Sequence, residues 1–173
     1  MKKTTIRRHV TINASKDKVW EVLADFGNVQ QLSPNIKKSY LTSEQENGVG
    51  AKRHCDFTSM GAQVEEQIVE WKEGESMKID IYETKNMPMI RDMEAVFDVR
   101  EAGNSTLLTG AFSYGMSNAF GSLMNSLAMK KMNIKSWKSF MSGIKHHLET
   151  EKMLIKKRNW IYQWLNNLNK RQK

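Results

Sequence analysis

The sequence predicts an α+β domain in which a curved, seven-stranded antiparallel sheet wraps around a long C-terminal helix, with two short helices after the first strand. Three observations carry this. Strand-like segments follow one another in steps of about ten residues with turn signals between them, which describes an antiparallel meander. No helix-length segment intervenes among them, so parallel crossovers are excluded. From about Ser117 the apolar period changes to 3.6, and the stripe of that helix needs a large surface to cover it, which only the sheet offers.

The elements follow in order. Thr4 to Ile12 alternates, with Ile6, Val10 and Ile12 on one face, as a half-buried strand does. Ser15 is placed to cap a helix carrying Asp17 in its first turn and Val19, Trp20, Leu23 and Ala24 at helical spacing. Gly27 ends it, and Asn28 to Leu32 forms a second short helix before Ser33-Pro34. Strands are then expected over 36–45, 51–57, 63–71, 76–84, 90–99 and 106–114, divided by turns such as Asn47-Gly48-Val49-Gly50, Lys72-Glu73-Gly74 and Ala102-Gly103-Asn104. The closing helix aligns Phe120, Leu123, Met124, Leu127, Ile134, Trp137, Met141, Ile144 and Leu148.

Length and composition (173 residues, 39% hydrophobic, 27% charged) fit one folded domain, and no stretch is apolar enough to span a bilayer. Met1-Lys2-Lys3 has no apolar run behind it, and Cys55 is the lone cysteine, so the expected setting is cytoplasmic, without disulfide or cysteine zinc site. The charge is unevenly divided. Residues 1–119 hold 15 Lys and Arg against 17 Asp and Glu, whereas residues 120–173 hold 12 against 2. Any partner for that basic third is anionic. Phosphate-binding glycine loops, Gly-x-Ser-x-Gly elbows and His-Glu-x-x-His runs are missing, which removes support for nucleotide enzymes and hydrolases.

Three stretches carry a resemblance. Val10 to Phe26, with its Val19-Trp20 and Asp25-Phe26 pairs, Gly48 to Arg53, and Val64 to Trp71 with an inward Glu resemble the START-like superfamily of helix-grip proteins. Within it the chain looks most like the bacterial polyketide cyclase/dehydrase and lipid-transport (SRPBCC) family over roughly residues 4–148. The chain departs from the family at Met93, where members often carry an aromatic residue. The resemblance implies a cavity between sheet and helix that takes a small hydrophobic or amphipathic ligand, such as a lipid, isoprenoid or polyketide, with no cofactor and no metal. The residues place the domain at 1–149 and a basic amphipathic helical extension at 150–173.

Strand alternation nominates the lining of that cavity. Arg53 and Phe57 share a face with Cys55, and Val64, Glu66 and Ile68 share one on the next strand. Ile79 and Ile81, Met93 and Ala95, and Phe112 and Tyr114 follow, with Leu123, Met124 and Leu127 from the helix. Glu66 is the sharpest polar candidate, because a carboxylate facing an apolar interior must be paired or become neutral. Arg53 and Lys37 are its candidate partners. It can be a structural ion pair, an anchor for one polar end of a ligand, or the acid/base of a cyclase/dehydrase. His54 and Cys55, neighbours on a strand, point to opposite faces and cannot act together.

The extension carries Lys156, Lys157 and Arg158 beside Trp160 and Trp164, with Leu154, Ile161, Leu165 and Leu168 near helical spacing. Such a helix suits an anionic bilayer, peripheral at the inner membrane face, better than nucleic acid. It can equally pack on its own domain or on a second protomer, so monomer and homodimer both stand, and an interaction or assembly role acting through this helix is a further alternative.

Overall fold

The computed structural model describes residues 3–118 and 129–171, the part beyond residue 150 as backbone alone. The chain runs β1 (Thr4–Ile12), α1 (Lys16–Ala24), a 3-10 helix (Phe26–Leu32), β2 (Ile36–Leu41), β3 (Lys52–Phe57), β4 (Gln63–Lys72), β5 (Ser76–Lys85), β6 (Ile90–Ala102), β7 (Ser105–Met116) and α2 (Lys130–Arg171). The strands form one antiparallel sheet in the order β1-β7-β6-β5-β4-β3-β2. Six strands meander, and β1 returns to the edge beside β7, pairing from Thr4↔Tyr114 to Ile12↔Thr106. This is the expected helix-grip arrangement.

Alternation decides which face meets the helix. Cys55, Val64, Ile68, Met77, Ile79, Met93, Phe97 and Leu108 all point inward and are buried. Met141, Ile144 and Leu148 of α2 close the core from the other side. Each such aliphatic side chain contributes about 1.5–3 kcal/mol by leaving water.

Two glycines set how closely the helix approaches. A Cβ on Gly143 would lie 1.9 Å from the Leu32 carbonyl oxygen, and one on Gly110 would lie 2.6 Å from Met141 Sδ. Further along, Lys145 Nζ donates to the Thr11 carbonyl at 2.8 Å and Asn13 N–H donates to Glu149 Oε1 at 3.0 Å, tying α2 to the end of β1. Ser15 caps α1 as expected, accepting from Lys18 N–H. Trp20 and Trp71 both donate to the Glu73 carboxylate, at 2.6 and 2.8 Å, which clamps α1 to the β4–β5 turn.

The strands β6 and β7 run two or three residues past their expected ends, and two other boundaries differ more. β2 stops at Leu41 rather than running to 45, because side chains take over the backbone groups there: Ser43 Oγ accepts from Lys52 N–H at 2.8 Å and Gln45 Nε2 reaches the Val49 carbonyl at 3.0 Å. Ser117 and Asn118 are a bend rather than helix, and Phe120, Leu123, Met124 and Leu127 lie outside the described residues. The helix runs from Lys130 to Arg171 without a break at 149.

Candidate functional site: an apolar chamber with one ion pair

Between the sheet and α2 lies an inner chamber of about 170 Å³. Its walls are Arg53 and Phe57 from β3, Val64 and Glu66 from β4, Ile79 and Ile81 from β5, Met93, Ala95 and Phe97 from β6, and Phe112 from β7. Asn133, Ser136, Trp137 and Phe140 of α2 form the roof, Val29 comes from the 3-10 helix, Ile36 from β2, and Ser33, Asn35 and Met87 from connecting segments. Trp137 is held by donating to the Gly110 carbonyl at 3.2 Å, with Phe97, Phe112 and Phe140 rings 5.4–5.6 Å from it. One side of the chamber is therefore a rigid aromatic wall.

The chamber opens into a vestibule of about 480 Å³ that shares Asn35, Phe57, Met87, Asn133 and Ser136 with it. Five methionines line this outer space: Met60, Met87, Met89, Met129 and Met132. Unbranched thioether chains make an adaptable apolar surface.

Arg53 and Glu66 stand opposite each other in the β3–β4 register and form an ion pair through Nε and Oε2. Arg53 Nη1 also donates to the Phe26 carbonyl at 2.9 Å, and the guanidinium lies 4.0 Å over the Phe26 ring. Cys55 Sγ donates to the same Glu66 oxygen at 3.5 Å. Burial, together with the Glu66 charge, pushes the Cys55 thiol up to about 12, so it is inert as a nucleophile. Among the described lining residues, Glu66 and Arg53 are the only charged groups facing the chamber.

The nine nominated residues Arg53, Phe57, Val64, Glu66, Ile79, Ile81, Met93, Ala95 and Phe112 are brought together as expected. Three others are not. Lys37 is exposed, because a β-bulge between Ile36 and Lys38 turns Ile36 inward and Lys37 out, which leaves Arg53 as the partner of Glu66. Ile68 and Tyr114 are fully buried in the packed core rather than on the chamber wall. Leu123, Met124 and Leu127 lie outside the described residues, as do the side chains of Lys156, Lys157, Arg158, Trp160 and Trp164.

Sequence reasoning missed Asn133, Ser136 and Phe140. Their spacing around Trp137 was the available signal, since positions i, i+3, i+4 and i+7 share a helix face.

Outside the cavity, His54 points to the other face of the sheet. Its Nδ1 meets Glu65 Oε1 at 2.5 Å and its Nε2 meets Asp56 Oδ1 at 3.2 Å. A larger open groove of about 860 Å³ lies beside α1, with Asp17, Glu21, Asp25, Glu46 and Glu73 around it. It is a solvated surface, and Glu73 is already taken up by Trp20 and Trp71.

Residues 3–149 match the family described as polyketide cyclase / dehydrase and lipid transport. The chain belongs to that family. No curated protein sequence matches it. Similar solved structures include a protein from Thermus thermophilus (16% identity, TM-score 0.71, covering 86% of this chain and 99% of that one). The Zhui aromatase/cyclase from a Streptomyces species is similar at 14% identity and TM-score 0.71, covering 86% of this chain and 94% of that one. A START superfamily protein from Mycobacterium smegmatis is similar at 15% identity and TM-score 0.66, covering 84% of this chain and 97% of that one. At these identities the likeness is one of fold. The family match ends at residue 149, inside α2. No helix among the described residues is long and apolar enough to cross a membrane.

Proposed function

We propose that the protein binds, and carries, a small hydrophobic or amphipathic molecule in the chamber and vestibule. The observation that supports this reading best is the character of the chamber: apolar walls, an aromatic side, and one ion pair that neutralises itself. A cyclase/dehydrase needs a carboxylate free to take a proton and a second group to return it. Glu66 is engaged by Arg53 and Cys55, and no second acid or base lines the chamber among the described residues. The carrier reading is therefore preferred, with Arg53–Glu66 as the polar point of the wall that orients the ligand.

Native mass spectrometry of the purified protein, followed by solvent extraction, tests it. A stoichiometric apolar or amphipathic species supports the reading. A protein that stays ligand-free through exposure to mixed lipid and aromatic extracts overturns it.

The basic end of α2 belongs to the same proposal. Residues 152–171 carry six Lys and Arg and no Asp or Glu, on a helix continuous with the one that closes the chamber. It would hold a cytoplasmic carrier at an anionic lipid surface. Cosedimentation with phosphatidylglycerol vesicles at low salt should occur and should weaken when Lys156, Lys157 and Arg158 become Gln. Equal binding of the two proteins, or none by either, removes this part.

A further inference from the structure

The throat between chamber and vestibule holds an unused hydrogen-bond donor. Asn35 Nδ2 donates to Ser136 Oγ at 3.2 Å, so those two groups serve each other. Asn133, one turn before Trp137 on the same face of α2, lines both spaces, and its Nδ2 is buried without a partner among the described residues. A buried donor without an acceptor is costly, and native proteins rarely leave one so. The other residues shared by the two spaces are Phe57 and Met87, which offer no acceptor side chain, and the Asn35–Ser136 pair.

The charge in the chamber gives a second constraint. Arg53 is the sole cationic group among the described residues that line the chamber, and the vestibule adds Lys135 on its outer side, from α2. Its Nε is paired with Glu66, its Nη1 with the Phe26 carbonyl, and its face with the Phe26 ring. An anionic headgroup drawn inside would lose its hydration and find no free cation. Size gives the third constraint. About 170 Å³ is room for roughly one ring, since an apolar cavity of about 150 Å³ takes benzene, and the longer remainder must lie in the methionine-lined vestibule.

We propose that Asn133 is a specificity-determining residue of the cavity and that the part of the ligand held in the chamber is uncharged, with a ketone, ester or ether oxygen accepting from Asn133 between a compact flat end in the chamber and a flexible apolar chain in the vestibule. This rests on the ligand-binding reading above and names the chemical class that reading leaves open.

Three probes of similar size separate the alternatives: 1-phenyl-1-octanone, octylbenzene, which lacks the acceptor, and 4-heptylbenzoic acid, whose charge sits on the ring that enters the chamber. Their affinities are measured by titration under native mass spectrometry. The wild-type protein should bind the ketone about fivefold to tenfold tighter than the hydrocarbon, the yield of one neutral hydrogen bond, and the acid weakest. Asn133→Leu should bring the ratio of ketone to hydrocarbon affinity to about one. The ratio within one variant does not depend on how much of it is folded. Glu66→Gln, by releasing Arg53, should raise affinity for the acid.

Equal binding of ketone and hydrocarbon by the wild type overturns the proposal, as does a preference retained in Asn133→Leu. Tightest binding of the acid by the wild type, or acid affinity unmoved by Glu66→Gln, overturns the claim that the part of the ligand held in the chamber is uncharged. If none of the three binds, the cavity reading falls and this one with it. If all three bind alike, only this one falls.

Discussion

Arg53 faces Glu66 across β3 and β4, and one step along the same strands His54 faces Glu65. The pairing geometry is shared and the surroundings are not. The inner pair looks into the chamber with 9% and 12% of its side chains exposed, and its remaining neighbours are Phe26 and Cys55. On the outer face His54 sits between two carboxylates that keep 26–27% exposure, with Tyr40 stacked on its ring at 5.1 Å and Gln63 Nε2 donating to Asp56 at 2.8 Å. Water can replace any partner outside, and none inside. The same cross-strand motif is thus a structural necessity on one face and a tunable surface feature on the other.

The largest contrast should appear in thiol chemistry. Cys55, on the inner face with its thiol raised to about 12, should alkylate at pH 8 on the order of a thousandfold more slowly than a free cysteine. A rate within tenfold of the free thiol would show that water reaches the inner face and would break the comparison.

Stability comes next. Glu66→Gln leaves a nearly buried guanidinium without its counter-charge and should cost about 3 kcal/mol in urea unfolding. A loss under about 1 kcal/mol would mean the chamber solvates Arg53. Replacing both members, Arg53→Met with Glu66→Leu, removes the need as well as the partner, and should return stability to within about 1 kcal/mol of the wild type. A double variant as weak as the single one would show that packing, not charge, underlies the loss.

The outer face should give smaller, pH-dependent effects. The hydrogen bond to Glu65, aided by Asp56 and opposed by burial, raises the His54 pKa above its ordinary 6.5. A raised pKa in the folded state contributes stability that is complete below 6.5 and is lost as pH rises through the folded value. The cost of His54→Gln should therefore be greatest near pH 5.5 and shrink toward pH 9, while a cost independent of pH would assign His54 a packing role only. Asp56 moves the other way: His54 and Gln63 hold its carboxyl below the usual range, so its contribution fades only in acid. Smallest of all, Glu65→Gln should change stability by less than about 1 kcal/mol at neutral pH and less again in high salt.

Much of this was legible in the residues. Period-two alternation on β3 to β7 brought Arg53, Phe57, Val64, Glu66, Ile79, Ile81, Met93, Ala95 and Phe112 to one face, and the placement of His54 away from Cys55 follows from the same rule. Lys37 shows where the rule stops. One extra residue in β2 reverses every assignment beyond it, and nothing local in Ile36-Lys37-Lys38 announces a bulge. The helix shows a second limit. Its apolar stripe pointed to Met141, Ile144 and Leu148, which do fill the core. The chamber borders Trp137 of that stripe together with Asn133, Ser136 and Phe140 on its flank, two of them polar.

By itself, then, the sequence determined the meander, the caps and turns, the gripping helix and the inward placement of Arg53 and Glu66. Each rests on local periodicity or on neighbours fixed by strand register. What only the tertiary structure decided is where the helix lies on the sheet. That depends on close approaches far apart in the chain, Gly143 beneath the Leu32 carbonyl and Gly110 beneath Met141. The height set there leaves a space of one ring's volume rather than a filled core, and it brings the Asn133 amide to the throat of that space. Cavities are what packing leaves over, and no single stretch of chain encodes them.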